Sequence, residues 1–184
     1  MWKLWCCGAI LPLVRGKKKS FQLNARAFSI IHSNNEKYWT WVRQSNSSFT
    51  EVAELLQVWW LEVHARINFE NLSTETEYAV YLIFKTTPSS YGLDTIQEAS
   101  VSVGSLSRKK FVCSKPSDET SLFTQIGLPV NRPDGWMELE LGQFNCDHGT
   151  SDQEVVVGFK ETNDNNEKSG LIIAGIELRP IQTV

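Results

Sequence analysis

Hydrophobic and polar positions alternate with a period of two along much of this chain, the pattern of strands with one covered face. Leu61, Val63, Ala65, Ile67 and Phe69 alternate with Trp60, Glu62, His64, Arg66 and Asn68. Met137, Leu139 and Leu141 do the same against Trp136, Glu138 and Glu140, and Val155, Val157 and Phe159 share one face of a third segment. Residues 78–84 and 171–176 are apolar at almost every position, as expected of strands covered on both faces. Shorter strands are predicted within 22–31, 38–42, 99–103 and 109–113. Turn-forming clusters separate these runs, among them Ser33-Asn34-Asn35, Pro88-Ser89-Ser90 and Arg132-Pro133-Asp134-Gly135. One segment departs from the period. Ser48-Phe49-Thr50-Glu51 fits a capping box, and Val52, Leu55 and Leu56 follow at helical spacing. The pattern predicts an all-β chain: an antiparallel β-sandwich of jelly-roll type with one short helix.

The length, 184 residues, suits one domain, and 41% hydrophobic with 21% charged residues is a globular balance. A net charge of -3 removes the basic footprint of a general nucleic-acid binder. Residues 4–14 form an apolar stretch shorter than the roughly 20 residues of a membrane span. Arg15, Lys17, Lys18 and Lys19 follow it, where a secretory signal would carry a small-residue cleavage site. Residues 1–20 are therefore expected to be a flexible basic arm, and 21–184 the folded domain. Cys6 and Cys7 lie in the arm, while Cys113 and Cys146 lie far from them in sequence. No cysteine–histidine spacing suggests a metal site. The adjacent pair could form intermolecular disulfides or carry a lipid. The acceptor patterns at Asn46 and Asn71 mean nothing without export.

Catalytic signatures are missing: no nucleophile elbow, no phosphate-binding glycine loop, no paired zinc histidines. His64 falls on the polar face of its strand and His148 in a loop, neither with acid–base company. The aromatic cluster Tyr38-Trp39-Thr40-Trp41 says more. Period two puts Trp39 and Trp41 on one face, beside the polar run from His32 to Glu36. An indole at a sandwich rim offers a flat apolar plate with an N–H donor, which suits a sugar ring. The alternative is that both indoles fill the core, as Trp59 is expected to.

Several runs occur in a telling order: AFSIIHSNNEKYWTW (27–41), FTEVAELLQVWWLEVHARI, YAVYLIFK, DGWMELELGQF, EVVVGFKET and KSGLIIAGIELRP. Together they resemble the phloem protein 2 family, the plant phloem lectins and their tobacco-lectin-like relatives, from Asn24 to Pro180. The resemblance implies a β-sandwich lectin without catalysis or cofactor. It would bind N-acetylglucosamine oligosaccharides, free or on glycoproteins, often as a homodimer, in cytosol, nucleus or phloem sap. Many family members carry an amino-terminal F-box, for which the residues before Asn24 are too few. The family's sugar site is attributed to two tryptophans around the first polar loop and two glutamates near the carboxyl end. Here the second tryptophan matches Trp39, whereas the first falls on His32. The glutamates match Glu154 and Glu161. Seven residues of extended strand span about 23 Å, so these two carboxylates are not expected to meet at one sugar. Glu161, beside the polar loop 162–168, is the better placed.

Two other readings compete. A glycoside hydrolase needs two carboxyls about 5–9.5 Å apart, and Glu138 with Glu140, about 7 Å apart along one strand face, has that spacing. A structural adaptor would cross-link through Cys6 and Cys7 and keep only vestigial sugar binding, a reading favoured by His32 in place of a tryptophan.

Overall fold

A computed structural model describes residues 18–44, 49–120, 124–147 and 154–181. Twelve strands run through them in chain order: β1 (Phe21–Asn24), β2 (Ser29–Ile30), β3 (Trp39–Arg43), β4 (Glu51–Leu55), β5 (Leu61–Asn68), β6 (Thr76–Tyr91), β7 (Gln97–Val103), β8 (Leu106–Val112), β9 (Val130–Asn131), β10 (Met137–Cys146), β11 (Glu154–Glu161) and β12 (Ser169–Pro180). Seven form one sheet in the order β3-β4-β12-β6-β10-β9, with β1 also paired to β12. The other five form a second sheet, β2-β5-β11-β7-β8. The pairings between these strands are antiparallel, and the two sheets form the expected sandwich.

The period-two runs decide which faces meet. Leu61, Val63, Ala65 and Ile67 of β5 are buried, as are Val155, Val157 and Phe159 of β11. Opposite them lie Tyr78, Val80, Leu82 and Phe84 of β6, Leu139 and Leu141 of β10, and Ile173, Ile176 and Leu178 of β12. Burying each such side chain contributes about 1.5–3 kcal/mol. β6 and β12 are apolar on both faces because a second cluster covers the outside of their sheet. It consists of Phe49, Val52, Ile83, Trp136 and Ala174.

That second cluster also explains where the short helix went. Residues 51–55 are strand β4, bridging β3 and β12, with Ala53 opposite both Trp41 and Ile173. Val52 enters the outer cluster while Ala53 and Leu55 enter the core, so the segment is covered on both sides. Two-sided burial with a ladder on each edge outweighs a local capping pattern. Ser48, the expected cap, lies outside the described residues. The helical pieces described are single 3-10 turns, at Ala25–Ala27 and Phe69–Asn71.

Residues 1–17 of the expected arm, with Cys6 and Cys7, lie outside the described residues. Lys19 is already tied to the sandwich: its N–H donates to Ser73 Oγ at 3.0 Å and its carbonyl accepts from the Tyr78 hydroxyl at 2.8 Å. Cys113 and Cys146 are buried free thiols, and burial pushes both thiols up.

Candidate functional site

Three loops and the turn after β6 meet at one end of the sandwich. The β2–β3 loop begins where the Ile31 N–H donates to the Glu62 carbonyl at 3.0 Å. It ends where the Tyr38 carbonyl accepts from the Leu56 N–H at 2.8 Å, which joins it to the β4–β5 loop. Val58 and Lys168 exchange backbone hydrogen bonds of 2.9 and 2.7 Å, bringing in the β11–β12 loop. The Asn166 side chain then donates to the Gly92 carbonyl at 3.0 Å. Gly92 takes a φ of 67°, and a Cβ there would lie 1.9 Å from the Glu167 carbonyl oxygen. Only glycine lets these two segments approach so closely.

Trp39 lies inside this end rather than on it. It is 1% exposed, belongs to the core, and its indole N–H donates to the Ile31 carbonyl at 3.2 Å. Trp41 shares that face and packs against the core, with the Arg26 guanidinium 3.8 Å from its ring centroid. The expected exposed plate at Trp39 is thus a support beneath the loop. Large apolar side chains on the inward face of β3 fill the sandwich, and burial there is worth more than display at the rim.

His32 is exposed on the turn. Its φ of 65° is the left-handed region, which costs a non-glycine residue on the order of 1–3 kcal/mol. The turn holds it there: Asn35 N–H donates to the His32 carbonyl at 3.0 Å, and Tyr38 and Trp39 N–H both donate to the Asn35 carbonyl. The rings of His32 and Tyr38 stand 5.4 Å apart and tilted, beside a shallow polar depression lined by residues 34–37.

Glu161 and Glu154 occupy opposite ends of β11. Glu161 is buried and fully engaged: its carboxylate accepts from the Asn163 N–H and the Asn166 side chain, both at 2.8 Å, and pairs with Lys168. Lys168 is wholly buried and also donates to the carbonyls of Trp59 and Asn166. Burial pulls its ammonium down to about 8. This pair clasps the β4–β5 and β11–β12 loops. Glu154, on the far edge, is exposed and paired with Arg66 at 3.1 Å. The structure therefore gathers His32, Trp39 and Glu161 at one end and leaves Glu154 away from them.

The apolar surface at the rim comes from Trp59, which was expected in the core, and from Trp60 and Leu56. Trp59 is 45% and Trp60 43% exposed, next to exposed Leu56. The Trp60 N–H donates to Glu62 at 2.7 Å, and His64 Nε2 lies 2.8 Å from the other Glu62 oxygen. The His64 and Trp60 hydrogen bonds hold the Glu62 carboxyl below the usual carboxylate range. The sequence carried one clue: Trp60 falls on the polar side of the β5 alternation.

Glu138 and Glu140 are each taken up by cations. Glu138 accepts from Arg132 at 3.2 Å and Arg179 at 2.5 Å, whereas Glu140 pairs with Lys110 at 3.1 Å. Each carboxylate is thus occupied by a protein cation rather than presented with its neighbour to one open space. Among the described residues, no group of three or more His, Cys, Asp or Glu side chains is placed to hold a metal ion. His148 lies outside the described residues.

A family model described as phloem protein 2 matches residues 18–180. The chain belongs to the phloem protein 2 family. F-box protein PP2-B10 of Arabidopsis thaliana is 38% identical over 166 residues, covering 89% of this chain and 61% of that protein. F-box protein VBF, also of Arabidopsis thaliana, is 36% identical over 188 residues, covering 89% of this chain and 66% of that protein. The chain thus spans about two-thirds or less of these curated relatives' length. Among solved structures, a Podospora anserina mannanase with a CBM35 module is similar with a TM-score of 0.49 and 10% identity, over 91% of this chain and 29% of that one. The mannan-recognising module TmCBM27 is similar at 0.42 and 11% identity, over 89% of each chain.

Proposed function

We propose that this family member is a carbohydrate-binding lectin domain that takes N-acetylglucosamine oligomers at the loop-built rim and leaves them intact. The exposed Trp59–Trp60 pair beside the polar His32 turn carries this reading. Indole faces stack on the C–H faces of a pyranose ring, while amides and carboxylates nearby bond its hydroxyls. His32 and Tyr38 form the second wall. Trp39 and the Glu161–Lys168 clasp act from below, holding the loops that present the aromatic rings. In this reading the protein works as a homodimer in plant cytosol or phloem sap.

The names of the relatives favour a second reading of the same domain. As part of a longer F-box protein, it would recognise glycoproteins for an attached machinery, and sugar binding would serve that selection.

A glycan array of the full chain tests the proposal. Signal concentrated on N-acetylglucosamine oligomers, with the oligomers unshortened after prolonged incubation, is the expected result. No signal on any glycan would contradict it and favour an adaptor bound to protein alone. Release of shorter sugars, retained through repurification, would overturn the non-catalytic assignment.

A further inference from the structure

At the end of the sandwich away from the rim, the two sheets leave a gap at one flank. β8 is the last strand of the five-stranded sheet. In the other sheet β9 pairs only with Met137 and Glu138, so β10 from Gly142 onward pairs on one side alone, with β6, among the described residues. Between these two edges lies a cavity of about 150 Å³ whose apolar lining is Val101, Val103, Leu106 and Phe144. Val103 registers with Val155, next to Glu154, which places the cavity at the opposite end of β11 from Glu161 and the rim.

Packing fixes its walls. The Phe144 ring is 5% exposed and stacked on Tyr78 at 5.7 Å and on Phe69 at 6.1 Å. The β10 bulge presses Gly142 onto Val101, where a Cβ would lie 2.8 Å from a valine methyl, and the cavity lies beyond that contact. Alternate residues of β8 face β10: Lys110 reaches Glu140 at 3.1 Å and Val112 is buried, so Arg108 and Leu106 point the same way. The Lys110 charge is matched by Glu140, but Arg108 has no hydrogen bond or ion pair among the described residues. Leu106, 60% exposed, leaves the mouth open to solvent. An apolar space with one unpaired guanidinium at its lip suits an amphipathic anion. A cavity of roughly 150 Å³ with aliphatic and aromatic walls takes a benzene ring, which sets the size of the apolar part. Asp147 also lines the lip, and its charge opposes a second negative charge on the ligand.

We propose that this cavity is a second binding site, for a small monocarboxylic acid with a compact aromatic or branched apolar tail. The tail fills the space between Val101, Leu106 and Phe144, and the carboxylate accepts from the Arg108 guanidinium at the lip. The site shares no residue with the rim and stands whether or not the rim binds sugar.

Benzoate serves as the probe, with benzamide as its neutral analogue and acetate as the anion without a tail. Titration of the full chain followed by amide-resolved NMR is expected to give saturable benzoate shifts centred on Val101, Leu106 and Phe144. Benzamide and acetate should each bind about five-fold more weakly or worse. Arg108→Met, at an exposed position, should weaken benzoate about ten-fold to the level of benzamide and leave the melting temperature unchanged. Absence of saturable benzoate shifts, shifts centred elsewhere, or native-like benzoate binding by Arg108→Met would each overturn the site. Benzamide binding as tightly as benzoate to the native protein would overturn the carboxylate assignment.

Discussion

The indole of Trp39 is enclosed by the core and its N–H is spent on the Ile31 carbonyl. Trp39→Ala is therefore expected to cost about 3–5 kcal/mol of stability, as large-to-small changes at enclosed aromatic positions do. Trp59→Ala, at an exposed position, should leave stability within about 0.5 kcal/mol yet weaken sugar binding. Thermal denaturation of the two variants measures the contrast. Equal melting temperatures would mean that the indoles are not divided between core and rim as described. His32→Trp offers the complementary gain, since an indole adds apolar area beside Tyr38. Chito-oligosaccharide binding should tighten, and unchanged affinity would remove His32 from the site. Period two correctly put Trp39 and Trp41 on a common face, but alternation does not say which face meets the other sheet. That choice belongs to the whole sandwich, and for the same reason Trp59 was expected inside and lies outside.

At the scale of elements, the long alternating or continuously apolar runs were legible because their burial is repeated over many residues. β5, β6, β10, β11 and β12 lie where the pattern put them. β4 was not legible, since its strand character comes from β3 and β12, neither adjacent in space by any local signal. Glu54→Pro tests its pairing on both edges. In a central strand it removes a ladder donor and should cost about 3 kcal/mol or more. A native-like melting temperature would show that residues 51–55 are not held between β3 and β12. The β11–β12 loop depends on a different element, the buried Lys168–Glu161 pair. Lys168→Met leaves an unpaired buried carboxylate and should cost about 3–5 kcal/mol, much of it recovered by adding Glu161→Gln. Denaturant unfolding of single and double variants measures this, and an equally unstable double variant would contradict it. The sequence reading matched Glu161 to the family's sugar site. Its clasp with Lys168 was invisible because the partner lies across a loop.

Across the whole molecule, several carboxyls titrate below their ordinary range. The guanidinium of Arg132 lowers Asp134, Lys109 lowers Glu98, and hydrogen bonds from His64 and Trp60 lower Glu62. Each has a folded pKa below its unfolded value, so its stabilisation is fully present above the unfolded carboxyl pKa of about 4. It is lost as pH falls through the folded value. The melting temperature should therefore fall in acid from a plateau above about pH 5, and less steeply in Glu98→Gln. A flat acid profile would show that these pairs are not formed in solution. Fold class and sheet content could be read from the chain because they rest on repeated burial. The rim could not, because it is built from loops far apart in the chain whose contacts obey no period.

The central claim is that exposed indoles at the rim hold the sugar. Titrating chitotriose into the full chain while following tryptophan fluorescence tests it most directly, with Trp59→Ala/Trp60→Ala as the comparison. The native protein should show a saturable shift, and the double variant, folded by circular dichroism, should lose it together with the calorimetric heat. Undiminished calorimetric binding by the double variant would contradict the account and place the sugar elsewhere on the molecule.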